Sequence, residues 1–103
     1  MPAYIIAQMQ VHDIETYRDY AAKVPPTVAA FGGKILAASD TAEVREGTQP
    51  FPRTVIVEFP DMKAARAWYE SGDYQAIAPL RQAASTGTLF MIEGFSIPEA
   101  TGE

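Results

Sequence analysis

The segment from Arg53 to Arg81, RTVIVEFPDMKAARAWYESGDYQAIAPLR, constrains the fold of this chain more than any other. Thr54 to Phe59 is a short β-branched run, as a strand requires. Its alternation sets Val55, Val57 and Phe59 on one face and Thr54, Ile56 and Glu58 on the other. Pro60 has no N–H for a ladder and pushes Phe59 away from helical angles, so the strand ends there. Asp61 stands where a helix N-cap belongs, and Met62 to Glu70 is rich in helix formers. Gly72 is expected to end that helix and Asp73 to cap a second one through Tyr74, Ile77 and Arg81. Pro79 should bend the second helix or keep it short.

The rest of the chain supplies the partners that this strand and these helices need. Tyr4 to Val11 reads as a first strand. Asp13 can cap a helix in which Ile14, Tyr17, Ala21, Val24, Val28 and Phe31 form one apolar stripe at spacings of three and four. The pair Pro25-Pro26 predicts a break or kink in it, and Gly32-Gly33 its end. A second strand is expected between Lys34 and Val44, with a bulge or turn at Ser39-Asp40. Arg45 to Pro52 reads as a loop. Ser85-Thr86-Gly87 reads as a turn before a last strand from Thr88 to Phe95, and residues 96–103 as a flexible tail.

The order β-α-β-β-α-β, its second helical region in two pieces, predicts a single ferredoxin-like α+β domain over residues 1–95. It has a four-stranded antiparallel sheet with helices on one face. Both sheet faces carry apolar side chains: Ile6, Ile56, Phe90 and Ile92 on one, Ile5, Met9, Val55, Val57, Leu89 and Met91 on the other. Helices cover only one of them, so a homodimer formed sheet to sheet is expected.

Composition excludes several function classes. The net charge is −5 and the eight basic residues never cluster, which argues against a nucleic-acid surface. With no cysteine and a lone histidine, His12, neither a disulfide framework nor a typical zinc site can be built. No apolar run approaches the ~20 residues of a membrane helix. MPAYIIAQMQ reads as a strand rather than a signal peptide, so a cytoplasmic protein is the expectation.

The candidate chemistry lies in arginines and phenols. Arg53 and Arg81 could each hold a carboxylate in a bidentate contact, or serve in ion pairs with Glu58, Glu46 or Glu93. Glu58, if buried, could act as an acid or base. Tyr17, Tyr20, Tyr74 and Trp68 come from helices over one sheet face and could line a cavity; Trp68 reads first as core. His12 sits at a strand-to-helix junction, a place for a proton shuttle or for a plain surface residue. No nucleophile–base pair and no phosphate loop is visible.

Tyr17 with Tyr20, Pro25-Pro26, Gly32-Gly33, Glu46-Gly47, Arg53, Glu58-Phe59-Pro60, Trp68-Tyr69, Ser71, Tyr74, Arg81 and Glu93-Gly94 form a pattern over Tyr4 to Gly94. This pattern resembles the domain of unknown function 1330 family, within the dimeric α/β-barrel superfamily. The chain departs from it at Ala38-Ser39-Asp40, where the family has an arginine and a Gly-Gly pair, and at Ser71-Gly72-Asp73-Tyr74, where it has Ser-Pro-Glu-Tyr. The resemblance implies a dimeric barrel. It also places the chain near cofactor-free monooxygenases, isomerases and decyclising enzymes that use a pocket between sheet and helices. The convergence of Arg53, Arg81, Glu58 and the tyrosines on the central stretch makes a small, partly apolar acid the expected ligand, and no cofactor is expected; the competing expectation is a non-catalytic dimeric stress or accessory module whose charges are structural.

Overall fold

The computed structural model describes residues 1–96. The elements run β1 (Ala3–Val11), α1 (Ile14–Ala29), β2 (Lys34–Ser39), β3 (Arg53–Phe59), α2 (Met62–Glu70), α3 (Gly72–Ala84) and β4 (Ser85–Glu93). The four strands form one antiparallel sheet in the order β2-β3-β1-β4. This is the expected ferredoxin-like α+β arrangement. The expected tail falls almost wholly on residues outside those described.

Strand alternation decides what is core. Ala3, Ile5, Ala7 and Met9 of β1 and Val57 and Phe59 of β3 point toward the helices and are buried. There they meet Tyr17, Tyr20, Val24 and Val28 of α1, Ala65 and Trp68 of α2, and Tyr74 and Ala78 of α3. The opposite face has no helix. Ile6 pairs with Ile56 of β3 and Phe90 of β4, and Tyr4 with Glu58 and Ile92. Phe90 and Ile92 remain 43% and 46% exposed.

Several local expectations are corrected. The helix α1 runs unbroken through Pro25-Pro26. Both prolines are exposed on its solvent side, and beside the pair the Thr27 hydroxyl donates to the Val24 carbonyl at 2.7 Å. The stripe beginning at Ile14 starts instead at Tyr17, since Ile14 is exposed. The N-cap of α3 is Ser71 rather than Asp73. The Ser71 hydroxyl accepts from the Tyr74 amide and donates to the Trp68 carbonyl, so one residue closes α2 and opens α3. Pro79 does not keep α3 short, since the helix continues past it to Ala84 with the proline exposed.

The strand β2 spans Lys34–Ser39, within the expected stretch, and the chain turns at Asp40 as expected, while an additional irregularity falls at Leu36. No turn separates α3 from β4. Ser85 is both the C-cap of α3 and the first residue of β4, paired with Val11, and β4 ends at Glu93 rather than Phe95. The caps at Asp13 and Asp61 are as expected, each accepting an amide N–H three residues on. Gly32 ends α1 with φ +77°. Among the described residues, no helix is long and apolar enough to cross a membrane.

Candidate functional site

Alanines make room between the sheet and α1. Ala7 occupies the middle of β1, Ala21 the underside of α1 and Ala38 the edge strand, in places where larger side chains would close the core. The resulting cavity of about 110 Å³ is bounded by these three and by Ile5, Met9, Val24, Val55, Val57 and Trp68, with Tyr17, Tyr20 and Arg53. Its floor depends on the irregularity at Leu36. A regular strand would alternate faces, but here both Ile35, opposite Val57, and Ala38, opposite Val55, line the cavity. The extra residue changes the parity of β2 between them.

Arg53 stands at the mouth. It begins β3 opposite Met9, on the helix side of the sheet. Its Nε donates to the Tyr17 hydroxyl at 3.0 Å and its Nη1 to Asp40 Oδ1 at 2.7 Å. The guanidinium carbon lies 5.2 Å from the centre of the Tyr17 ring, within cation–π range. Burial works against the charge, but the bonds to Asp40 and Tyr17 outweigh it and hold the arginine firmly protonated. Outside this mouth lies a second, larger hollow of about 380 Å³, bounded by Gln10, Val11, Ile14, Arg18, Asp40 and Pro52. Tyr17, Ala21 and Arg53 border both spaces.

A second polar group lies deeper. Tyr20, which lines the inner cavity, shares a 2.8 Å hydrogen bond with the Tyr74 hydroxyl. Arg81 Nε donates to Tyr74 across a long 3.4 Å contact. Burial, then the proximity and hydrogen bond of Tyr74, push the Tyr20 phenol well above its ordinary value. The sign of the pH effect follows. Above about pH 10 the unfolded chain releases the Tyr20 proton while the folded chain retains it, so stability falls as pH rises through that region. Tyr20→Phe should flatten this alkaline decline by up to about 1.4 kcal/mol per pH unit, measured by urea unfolding between pH 9 and 11. An unchanged slope would remove Tyr20 from the account.

The structure thus brings together four of the candidate residues around the cavity and sets the others elsewhere. Arg53, Tyr17, Tyr20 and Trp68 line it. Trp68 combines both of its expected roles, since it is also buried core and its indole N–H donates to Thr27 at 3.0 Å. Tyr74 is buried behind Tyr20, its ring 4.1 Å from that of Trp68. Arg81 contacts the phenols and borders neither space. Glu58 faces the open side of the sheet with Ile56, opposite in direction to Val57, and accepts from the Tyr4 hydroxyl at 3.0 Å. His12 is exposed; its backbone N–H, not its ring, makes the junction by donating to Ala84. Neither arginine pairs with Glu46, Glu58 or Glu93; the partner of Arg53 is Asp40. The sequence reading missed Asp40 as a partner and the three alanines. An alanine amid the larger residues of β1 was the available signal for the latter.

An open four-stranded antiparallel sheet backed by three helices, with an arginine-mouthed apolar cavity between the layers, defines a ferredoxin-like α+β protein. The chain belongs to the domain of unknown function 1330 family, whose model matches residues 2–95. No protein of curated function matches it. Among solved structures, a protein of unknown function from Rhodopseudomonas palustris is similar with TM-score 0.76 and 18% identity, over 93% of this chain and 84% of that one. A dimeric ferredoxin-like protein of unknown function from Jannaschia sp. CCS1 is similar with TM-score 0.76 and 10% identity, over 91% of this chain and 100% of the other. SnoaB, a cofactor-independent oxygenase from Streptomyces nogalater, is similar with TM-score 0.63 and 12% identity, over 93% and 95% of the two chains. At these identities the likeness is one of fold.

Proposed function

We propose that the protein is a homodimer in which each protomer binds a small, partly apolar carboxylic acid between the sheet and α1. One observation carries the ligand reading: the apolar cavity opens at a guanidinium held by a phenol and an exposed carboxylate. An apolar chamber with one fixed charge at its mouth favours a molecule with an anionic end and a compact hydrocarbon end. The dimer reading rests on the uncovered face of Ile6, Ile56, Phe90 and Ile92, and a similar fold in the Jannaschia protein is described as dimeric. SnoaB performs oxygenation without a cofactor on this fold, so turnover without a cofactor extends the same reading.

The competing reading is a non-catalytic dimeric module in which Arg53–Asp40 is only structural, and that ion pair speaks for it. One experiment separates the two. A thermal-shift screen of small aliphatic and aromatic carboxylates, with their neutral amides as controls, should find acids that raise the melting temperature, since ligand bound only to the native state stabilises it. At a hundred times Kd the gain is about 2.7 kcal/mol. Arg53→Gln should remove the rise while changing the ligand-free protein by no more than about 1 kcal/mol, the worth of a partly exposed ion pair. If no acid stabilises the protein, and Arg53→Gln lowers its ligand-free stability, the structural reading stands instead.

A further inference from the structure

Two spaces of unequal size meet at one arginine, and the carboxylate on that arginine comes from the protein itself. We propose that Asp40 occupies the ligand's own carboxylate position and is displaced on binding by an acid whose branched-alkyl or single-ring end fills the inner cavity. This rests on the binding reading above and adds to it the size of the ligand and the route by which it docks.

The two partners of Arg53 differ in how firmly they are held. Tyr17 is buried on α1 and keeps its bond to Nε. Asp40 follows the last residue of β2, and its side chain is 65% exposed against 23% for that of Arg53. The turn around it is tied only locally, by Ser39 accepting from the Thr41 amide and sharing a bond with its hydroxyl. A carboxylate arriving from the outer hollow therefore finds a guanidinium already oriented by Tyr17, and an occupant that water can take up at little cost. Arg18 borders the same hollow and forms no ion pair among the described residues. With Arg18 and Arg53 on one side and Asp40 on the other, the hollow holds one more positive charge than negative, which draws an anion in.

Volume fixes the other end of the molecule. A dry cavity of about 150 Å³ accepts benzene, so the inner space of about 110 Å³ suits a branched alkyl group of a few carbons, or one ring if α1 yields slightly. A long chain does not fit. The outer hollow of about 380 Å³ leaves room for polar substituents beyond the carboxylate.

Isothermal titration with benzoate and 3-methylbutanoate, and with the matching amides, tests this on the full chain. Asp40→Asn should bind the acids about 2- to 5-fold tighter than the wild type, the release of a partly exposed ion pair, and leave the amides unchanged. Glu43→Gln removes a nearby exposed charge that is paired with Arg45; it should leave acid binding unchanged. Equal acid affinity in wild type and Asp40→Asn, or an equal gain in Glu43→Gln, would overturn the displacement while Arg53→Gln still weakens binding. Acid binding that survives Arg53→Gln, or none in any variant, overturns the binding reading itself and this inference with it.

Discussion

Gly87→Ala is expected to destabilise the protein by more than about 3 kcal/mol, from a single added methyl group. Gly87 lies opposite Met9 in the β1–β4 ladder. A Cβ there would meet the Met9 Cα at 2.6 Å and the backbone of Gln8 closer still. These are backbone atoms of the strand at the centre of the sheet, held on their other side by β3. They cannot rotate away as a side chain would, so the ladder itself must shift. Gly72→Ala is the natural control, since nothing lies near its Cβ position and it sits in the first turn of α3. That change should be neutral or slightly stabilising. Urea unfolding of both variants gives the comparison. A loss under 1 kcal/mol at position 87 would show that β1 and β4 separate more readily than their close approach implies.

Two adjacent residues of β3 should fail in opposite ways when made acidic. Val57 points into the core beneath the helices and is 3% exposed, so Val57→Asp buries an unpaired carboxylate and should unfold the protomer, at a cost of several kcal/mol. Ile56 points to the open face between Ile6 and Ala37. Ile56→Asp should leave helical content intact and halve the mass in solution, because it places a charge in the proposed contact between sheets. Sedimentation and circular dichroism together distinguish the outcomes. A wild-type protein that is monomeric at micromolar concentration, or an Ile56→Asp protein that stays dimeric, would remove the sheet-to-sheet dimer.

That contrast between neighbours was readable from the sequence, because it depends only on alternation along a strand. Val55-Ile56-Val57 assigned themselves to two faces by parity, and Asp13 and Asp61 marked the starts of two helices by cap chemistry. The failures concern effects that act through space. Pro25-Pro26 looked like a break because local rules count only missing donors; which side of the helix faced water was not written locally. Leu36 gave no sign of an irregular strand, since an extra residue in β2 is defined only against β3. The same holds for the site. Tyr17, Tyr20, Trp68 and Arg53 were nominated by residue type, and the fold brings them to one cavity. Glu58 was nominated with them although its parity with Ile56 sets it on the far face. Asp40 was not nominated at all, because the contact joins the end of one strand to the start of another across a loop.

The proline pair has a mechanical meaning for the cavity roof. Proline offers no N–H, so the carbonyls of Ala21 and Ala22 lose their usual partners at residues 25 and 26. Tyr17, Tyr20, Ala21 and Val24, which cover the cavity, all precede that gap in the ladder. Val28, beyond it, is packed firmly in the core. Across the gap runs one side-chain stitch, in which the Trp68 indole holds Thr27 and Thr27 holds the Val24 carbonyl. Side-chain bonds hold the roof on both sides of the gap: Tyr17 to Arg53 and Tyr20 to Tyr74 before it, Thr27 to Trp68 after it. Trp68, itself part of the cavity wall, makes the bond nearest the gap, so the wall and the weakest stretch of the roof meet at one indole.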